Sequence, residues 1–532
     1  TMKTKHVFLA GLMILGTLLS ACGAAAVYEP TQETYSTPEY ENLKSFPTAT
    51  MSAFTDEEWG PTYGGTDPVN DEPYYDVFFE NYGVNPFIDT EDENLSTFAL
   101  DVDTGSYTVA RRYLFDGYIP DKDSVRVEEY VNYFDMGYAL PDDNGFNLHL
   151  EGGPTPFGIS GRYRVIRIGV QGYDVPDEER KPAVLTFVID ISGSMDMENR
   201  LEAVKSSLLA MVNSLRPTDQ VGIVVYGSMA RTVLRPTPVN EMGTVKRAIR
   251  GLSPGGSTNA EAGLLMAYKL ASRAYEPGSI NRVILCSDGV ANVGATGPDS
   301  ILEEIRKYAD QDIQLTTVGF GMGNYNDVLM ERLADDGDGF YAYVDNKREA
   351  ERLFVHDLTG TLQTIAMDAK IQVEFNPDMV TRFRLIGFEN RALENDEFRD
   401  DTVDAGEIGA GHSVTALYAV KLTEDAEEKP GQALANVYMR WEDPDWSEIT
   451  EIEEVMLMGD LADSFEQTSD TFQLAVLVAE FAEILRESYW AKEYSLKDVE
   501  WELEQLSGGL LENEDVEDFV YLVREAVDLR RE

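Results

Sequence analysis

The sequence predicts an α/β protein: a doubly wound, mostly parallel sheet inserted in a β-sandwich, with C-terminal helices. Three observations lead there. Residues 181–361 alternate between strand-like and helix-like segments, the pattern of a sheet covered by helices on both faces. Period-two strands lie on both sides of that stretch, at 146–170 and 371–441, and the two strands before it are too few to stand alone. Near the C-terminus, helical periodicity takes over from alternation.

Taken in chain order, Lys3 and Lys5 flank the start of an apolar segment, Val7–Leu19. It is short for a membrane span and has the shape of a signal peptide. It ends Leu19-Ser20-Ala21-Cys22-Gly23, which resembles the lipobox of bacterial lipoproteins. The resemblance implies a signal peptide over 1–22, lipidation of Cys22, and an extracytoplasmic protein anchored to the cell membrane or outer envelope. Residues 23–95 are rich in Pro, Thr, Tyr, Glu and Asp with little periodicity and read as a disordered tether.

A first flank is expected over 96–180, with a helix through Leu114, another over Arg126–Phe134, and strands Phe146–Leu150 and Tyr163–Val170. The α/β domain is expected over 181–363. Its first helix repeats Leu201, Val204, Leu208, Met211 and Leu215 at helical spacing and so buries one face. Sandwich strands follow over 364–460; Val414, Ala416, Tyr418, Val420 and Leu422 alternate, as do Ala433, Ala435, Val437, Met439 and Trp441. The region 461–532 is helical, and Phe472–Arg486 is apolar nearly all round, so it is expected to be buried. Two strands before the insertion would leave bare edges, so they are expected to pair with the strands after it.

The chain has 532 residues, of which 43% are hydrophobic, enough for about three domains with real cores. A net charge of −53 argues against nucleic acid and anionic lipid surfaces as partners. Of the two cysteines, Cys286 lies in an apolar strand and reads as a small core side chain.

The chemistry concentrates where apolar strands end. Val184–Ile189 runs into Asp190-x-Ser192-x-Ser194, in the loop at a strand's carboxyl end, where open α/β sheets place their ligands. One carboxylate and two hydroxyls suit a hard divalent cation, and no His or Cys is nearby to suit a soft one. Gly255-Gly256-Ser257-Thr258-Asn259 precedes a helix-like run, and Val283–Ser287 ends in Asp288. Together these segments resemble the metal-ion-dependent adhesion site of von Willebrand factor A (VWA) domains. The resemblance implies that Ser192, Ser194 and Thr258 contact Mg²⁺ while Asp190 and Asp288 hold it directly or through water; Mn²⁺ and Ca²⁺ are the alternatives. From Ser96 onward the chain resembles a bacterial VWA lipoprotein family with dedicated N- and C-terminal flanks; Ser96–Arg112 and Ile386–Leu417 carry the likeness, notably Asp404–Leu417.

Other motifs were weighed. Asp101-Val102-Asp103-Thr104-Gly105-Ser106 has the letters of an aspartic protease or of a haloacid-dehalogenase phosphatase. The first needs a second carboxylate motif, and the second needs its partners in the same sheet, so helix capping is preferred. Asp335-Asp336-Gly337-Asp338-Gly339 lacks the ligand count of a Ca²⁺ loop and reads as a turn. His6, His149, His356 and His412 have no zinc spacing. The expectation is a binding protein and not an enzyme, using Mg²⁺ to engage Asp or Glu of a protein partner. A metal-dependent hydrolase and a structural envelope protein with an unused site are the alternatives.

Overall fold

The computed structural model describes residues 79–530 except 101, 159–160, 290–297, 323–324 and 507–508. The signal segment, Cys22, most of the tether and Asp101 lie outside the described residues.

The α/β sheet has six strands, in the order Tyr341–Val344, Gln314–Phe320, Ile280–Ser287, Ala183–Asp190, Gln220–Tyr226 and Ala230–Pro238. All neighbours are parallel except the last pair. Ala183–Asp190 is interior and fully buried. Leu185, Phe187 and Ile189 feed one core with the helix Arg200–Ser214. Val188 feeds the opposite core with Ala260–Ala274. Strict alternation between two cores is what doubly wound packing requires of a strand. The α/β unit ends in two short helices, Lys347–Glu351 and Leu358–Leu362, joined by a π turn at Arg352–His356.

Two antiparallel sheets form the sandwich. One has the order Ile88–Asp89, Val380–Ile386, Ser413–Leu422, Tyr163–Gly172, Phe146–Gly153. The other runs Ala392–Leu393, Leu95–Ala99, Thr364–Phe375, Ala433–Glu442, Ile449–Leu457. Strands from before and after the α/β unit are direct neighbours in both. Arg167 faces Leu417, and Phe98 faces Ile371. Phe98, Ile168, Val170, Phe375, Phe383, Tyr418 and Trp441 share the core between the sheets. The two chain crossings sit together, because the Lys181 backbone nitrogen donates to Gln363 Oε1 at 2.9 Å. Thr364 directly opens a twelve-residue strand, with no linker between the two bodies on that side.

The tether expected over 23–95 is also too long. Ile88–Asp89 is an edge strand, and Phe87 packs edge-on against Tyr163 and Trp490. Two isolated apolar residues carry no periodicity, so this anchor leaves no pattern to read.

The helices Asp470–Leu485, Leu496–Leu503 and Glu514–Arg530 share a core with Tyr107, Tyr130 and Phe134 of the first flank. The two flanks are thus one body. Buried ion pairs join it to the α/β unit. Arg111 of the helix Gly105–Phe115 meets Asp345 at 2.6 Å and Glu349 at 2.9 Å, and Arg126 meets Asp327 at 2.6 Å.

Candidate metal centre

Parallel strands end on one edge, and that brings the predicted residues near one another. Asp190 closes its strand opposite Tyr226, and Ile189 lies opposite Cys286. The chain leaving Ser287 therefore delivers Asp288 beside Asp190. Asp190 is fully buried, not on a surface loop. Its Oδ1 accepts from the Ser192 nitrogen at 2.7 Å and its Oδ2 from Ser287 Oγ at 3.2 Å. The Ser192 and Ser194 hydroxyls are 3.0 Å apart. Ser192 is buried, while Ser194 is half-buried and opens the group outward.

The loop carrying Thr258 is fastened to this turn by its backbone. Gly255 N donates to Ile191 O at 2.6 Å, and Gly193 N donates to Gly256 O at 3.0 Å. Gly256 has φ +100°, and a methyl there would lie 2.9 Å from the Ser228 nitrogen, so glycine is required twice over. Asn259 then caps the helix Ala260–Ala274 by accepting from Ala262 N at 3.1 Å. Thr258 itself is half-buried beside this junction. Among the described residues no hydrogen bond ties its hydroxyl to the other four.

Burial and a neighbouring carboxylate set the electrostatics of the site. Burial and then the charge of Asp288 push the Asp190 carboxyl up to about 6, against hydrogen bonds from Ser192. Both hydrogen bonds come from neutral donors, so among the described residues the Asp190 carboxylate has no ion-pair partner. Two carboxylates and neighbouring hydroxyls are the all-oxygen donor set that hard divalent cations take. The residues present fit a hard divalent cation.

Sequence reasoning missed one member. Arg200, first residue of its helix, places Nη1 2.8 Å from Asp288 Oδ2, with both side chains buried. An arginine at a helix start has no local signature that names its partner.

It also missed a second acidic group. Carboxylate oxygens of Asp338, Asp404 and Glu407 lie within 4.8 Å of one another. Burial, then neighbouring carboxylates, push Asp338 up to about 7, Asp404 to about 6 and Glu407 well above its usual range. Asp338, with φ +47°, sits in the expected turn. What brings Asp404 and Glu407 against it is the packing of the sandwich on the α/β unit.

The Asp-Thr-Gly-Ser motif has a structural use. Asp103 Oδ1 accepts from Tyr341 N at 2.9 Å. Ser106 N donates to Glu129 Oε2 at 2.7 Å, and its hydroxyl donates to Ser124 O at 2.6 Å. Ser106 does not cap its helix, as expected from sequence, but ties it to the next one. Cys286 is buried and free, its thiol pushed up by burial.

Residues 185–356 match the von Willebrand factor type A domain, 74–163 match a family described as von Willebrand factor, and 360–529 match the C-terminal region of uncharacterized protein YfbK. Uncharacterized protein YfbK of Escherichia coli (strain K12) is 34% identical over 453 residues, covering 81% of this chain and 78% of that protein. Inter-alpha-trypsin inhibitor heavy chain H4 of Bos taurus is 31% identical over 176 residues, covering 31% of this chain and 19% of its own length. Among solved structures, a von Willebrand factor type A protein from Catenulispora acidiphila matches with a TM-score of 0.39 at 15% identity, over 65% of this chain and 81% of that one.

Proposed function

Because the chain belongs to the YfbK family and carries its von Willebrand factor type A domain, we propose that it is a membrane-anchored, extracytoplasmic binding protein. In this reading it captures an Asp or Glu carboxylate of a protein partner through a Mg²⁺-dependent site. Ser192, Ser194 and Thr258 would hold the ion directly, and Asp190 and Asp288 directly or through water. When bound, a divalent ion supplies an electrophilic position that an outside carboxylate oxygen completes. The observation that carries the reading is the buried, uncompensated Asp190 carboxylate beside two hydroxyls 3.0 Å apart, the outer one half-exposed.

A hydrolase would need a base for the attacking water. The two carboxylates here are the ones that would hold the ion, and Asp288 is also paired with Arg200, which leaves neither as the base. That favours binding over hydrolysis. Lipidation at Cys22 would supply the anchor, as multiple acyl chains hold a protein stably at a bilayer.

The deciding experiment is a pull-down from envelope extract with the full chain, in Mg²⁺ and in EDTA, alongside Ser192→Ala. A partner retained only with Mg²⁺ and only by the unsubstituted chain is expected. Equal retention in EDTA would remove the metal from the binding mechanism. Cys22→Ser should move the chain from the membrane to the soluble fraction.

A further inference from the structure

We propose that Arg200 is the counter-charge of the metal site: it weakens the site's own affinity for the divalent ion and leaves the bound ion with positive charge for an outside carboxylate. This rests on the metal-dependent binding reading above.

The arginine is built into place. Its Nη1 pairs with Asp288 Oδ2 at 2.8 Å, and its Nη2 donates to the Met322 carbonyl and lies 3.3 Å from Glu198 Oε1. Gly321, at φ +79°, makes room for its shaft, since a methyl there would lie 2.5 Å from Arg200 Nε. Among the described residues Nε has no hydrogen-bond partner, and the guanidinium is held by its two terminal nitrogens. Glu198 is shared, lying 3.9 Å from Arg112 Nη2.

The charge balance follows. Asp190 and Asp288 carry two negative charges and Arg200 one positive, all buried. Glu198, Arg112 and Asp116 add further charges beside them, and against that background a divalent ion entering the set faces one unit of negative charge less than it would without Arg200. Like charges that close repel strongly where water is excluded, so Arg200 opposes the metal. The same difference leaves a loaded site one unit more positive than it would be without Arg200, which favours a carboxylate from outside. A site of two uncompensated aspartates would bind the ion more tightly and attract the carboxylate less. Arg200 is thus a positioning and charge-setting residue; no contact with the ion is required of it.

The test uses the full chain and Mg²⁺ alone, by calorimetry. Arg200→Met and Arg200→Gln remove the charge, and the latter keeps an N–H for the Met322 carbonyl. Arg200→Lys keeps the charge. Both neutral variants should bind Mg²⁺ about tenfold more tightly or better, while Arg200→Lys stays within about twofold of the unsubstituted chain. Thermal unfolding in EDTA identifies which neutral variant is folded, and one suffices. In the second arm, Mn²⁺-loaded chains are titrated with acetate, following water-proton relaxation. Acetate should displace bound water from the unsubstituted chain at lower concentration than from the neutral variants. A folded neutral variant with unchanged or weaker Mg²⁺ binding would overturn the proposal and leave the metal reading intact. Equal acetate sensitivity would overturn the carboxylate half. No Mg²⁺ binding to the unsubstituted chain would instead defeat the metal reading, and this one with it.

Discussion

Asp103 accepts a hydrogen bond from the backbone nitrogen of Tyr341 at 2.9 Å, and by it the first flank grips the edge strand of the α/β sheet. Asp103 is almost fully buried. Asp103→Ala would leave a buried N–H without its acceptor and is expected to cost about 1–3 kcal/mol. Urea unfolding measures the loss, and Mg²⁺ affinity should not change. A drop in Mg²⁺ affinity without a drop in stability would restore a chemical role to this motif.

Arg111 provides a stronger test of the same junction. Its side chain is wholly buried between Asp345 and Glu349. Removing one partner of a buried ion pair leaves the other charge uncompensated, so Arg111→Met should destabilise by about 3–5 kcal/mol. Retention of the unsubstituted unfolding midpoint would mean that flank and α/β unit are not held by this contact.

At the metal centre, Ser194→Ala removes a half-exposed hydroxyl and should spare the fold. Its Mg²⁺ affinity is expected to fall about tenfold or more, on the scale seen when a metal site loses a supporting group, with the unfolding temperature in EDTA unchanged. Calorimetry decides, and intact Mg²⁺ affinity would exclude Ser194 from the site.

Removing the charge of Asp190 should act on the fold as well. The carboxylate is buried, and among the described residues it has no ion-pair partner, which penalises its ionised form. Asp190→Asn in EDTA at pH 8 is therefore expected to melt above the unsubstituted chain, and added Mg²⁺ should no longer raise its melting temperature. A variant that melts lower and still responds to Mg²⁺ would contradict both expectations.

Glu480 sets a pH dependence away from that site. Burial, then the charge of Glu483, pushes its carboxyl up to about 8, against the pull of Arg384. A carboxyl raised on folding adds stability that is complete below its unfolded value. That stability is lost as pH rises through the folded value. Glu480→Gln should match the unsubstituted chain near pH 5 and exceed it at pH 9. Urea midpoints at the two pH values check this, and parallel losses in both proteins would refute it.

Much of this molecule was legible locally. Val184–Ile189 is an apolar run because its strand is buried on both faces, and parallel strands bring their ends to one edge. Asp190, Ser192, Ser194 and Asp288 could therefore be assigned to that edge before any coordinates. The composite sandwich was legible from the cost of bare strand edges, and Arg167 facing Leu417 meets that expectation. The early strand Ile88–Asp89 was not legible, since two residues have no period.

By itself, then, the sequence determined the element types, the two-sided burial of the central strand and the oxygen donors at its end, because these follow from periodicity over a few residues. Only the tertiary structure decided that Asp190 is buried, that Arg200 sits on Asp288, and that Asp404 and Glu407 come against Asp338. Those relationships join charges from distant segments. Coulomb interaction depends on distance through the folded body and the water it excludes, and neither is written in the order of neighbouring residues.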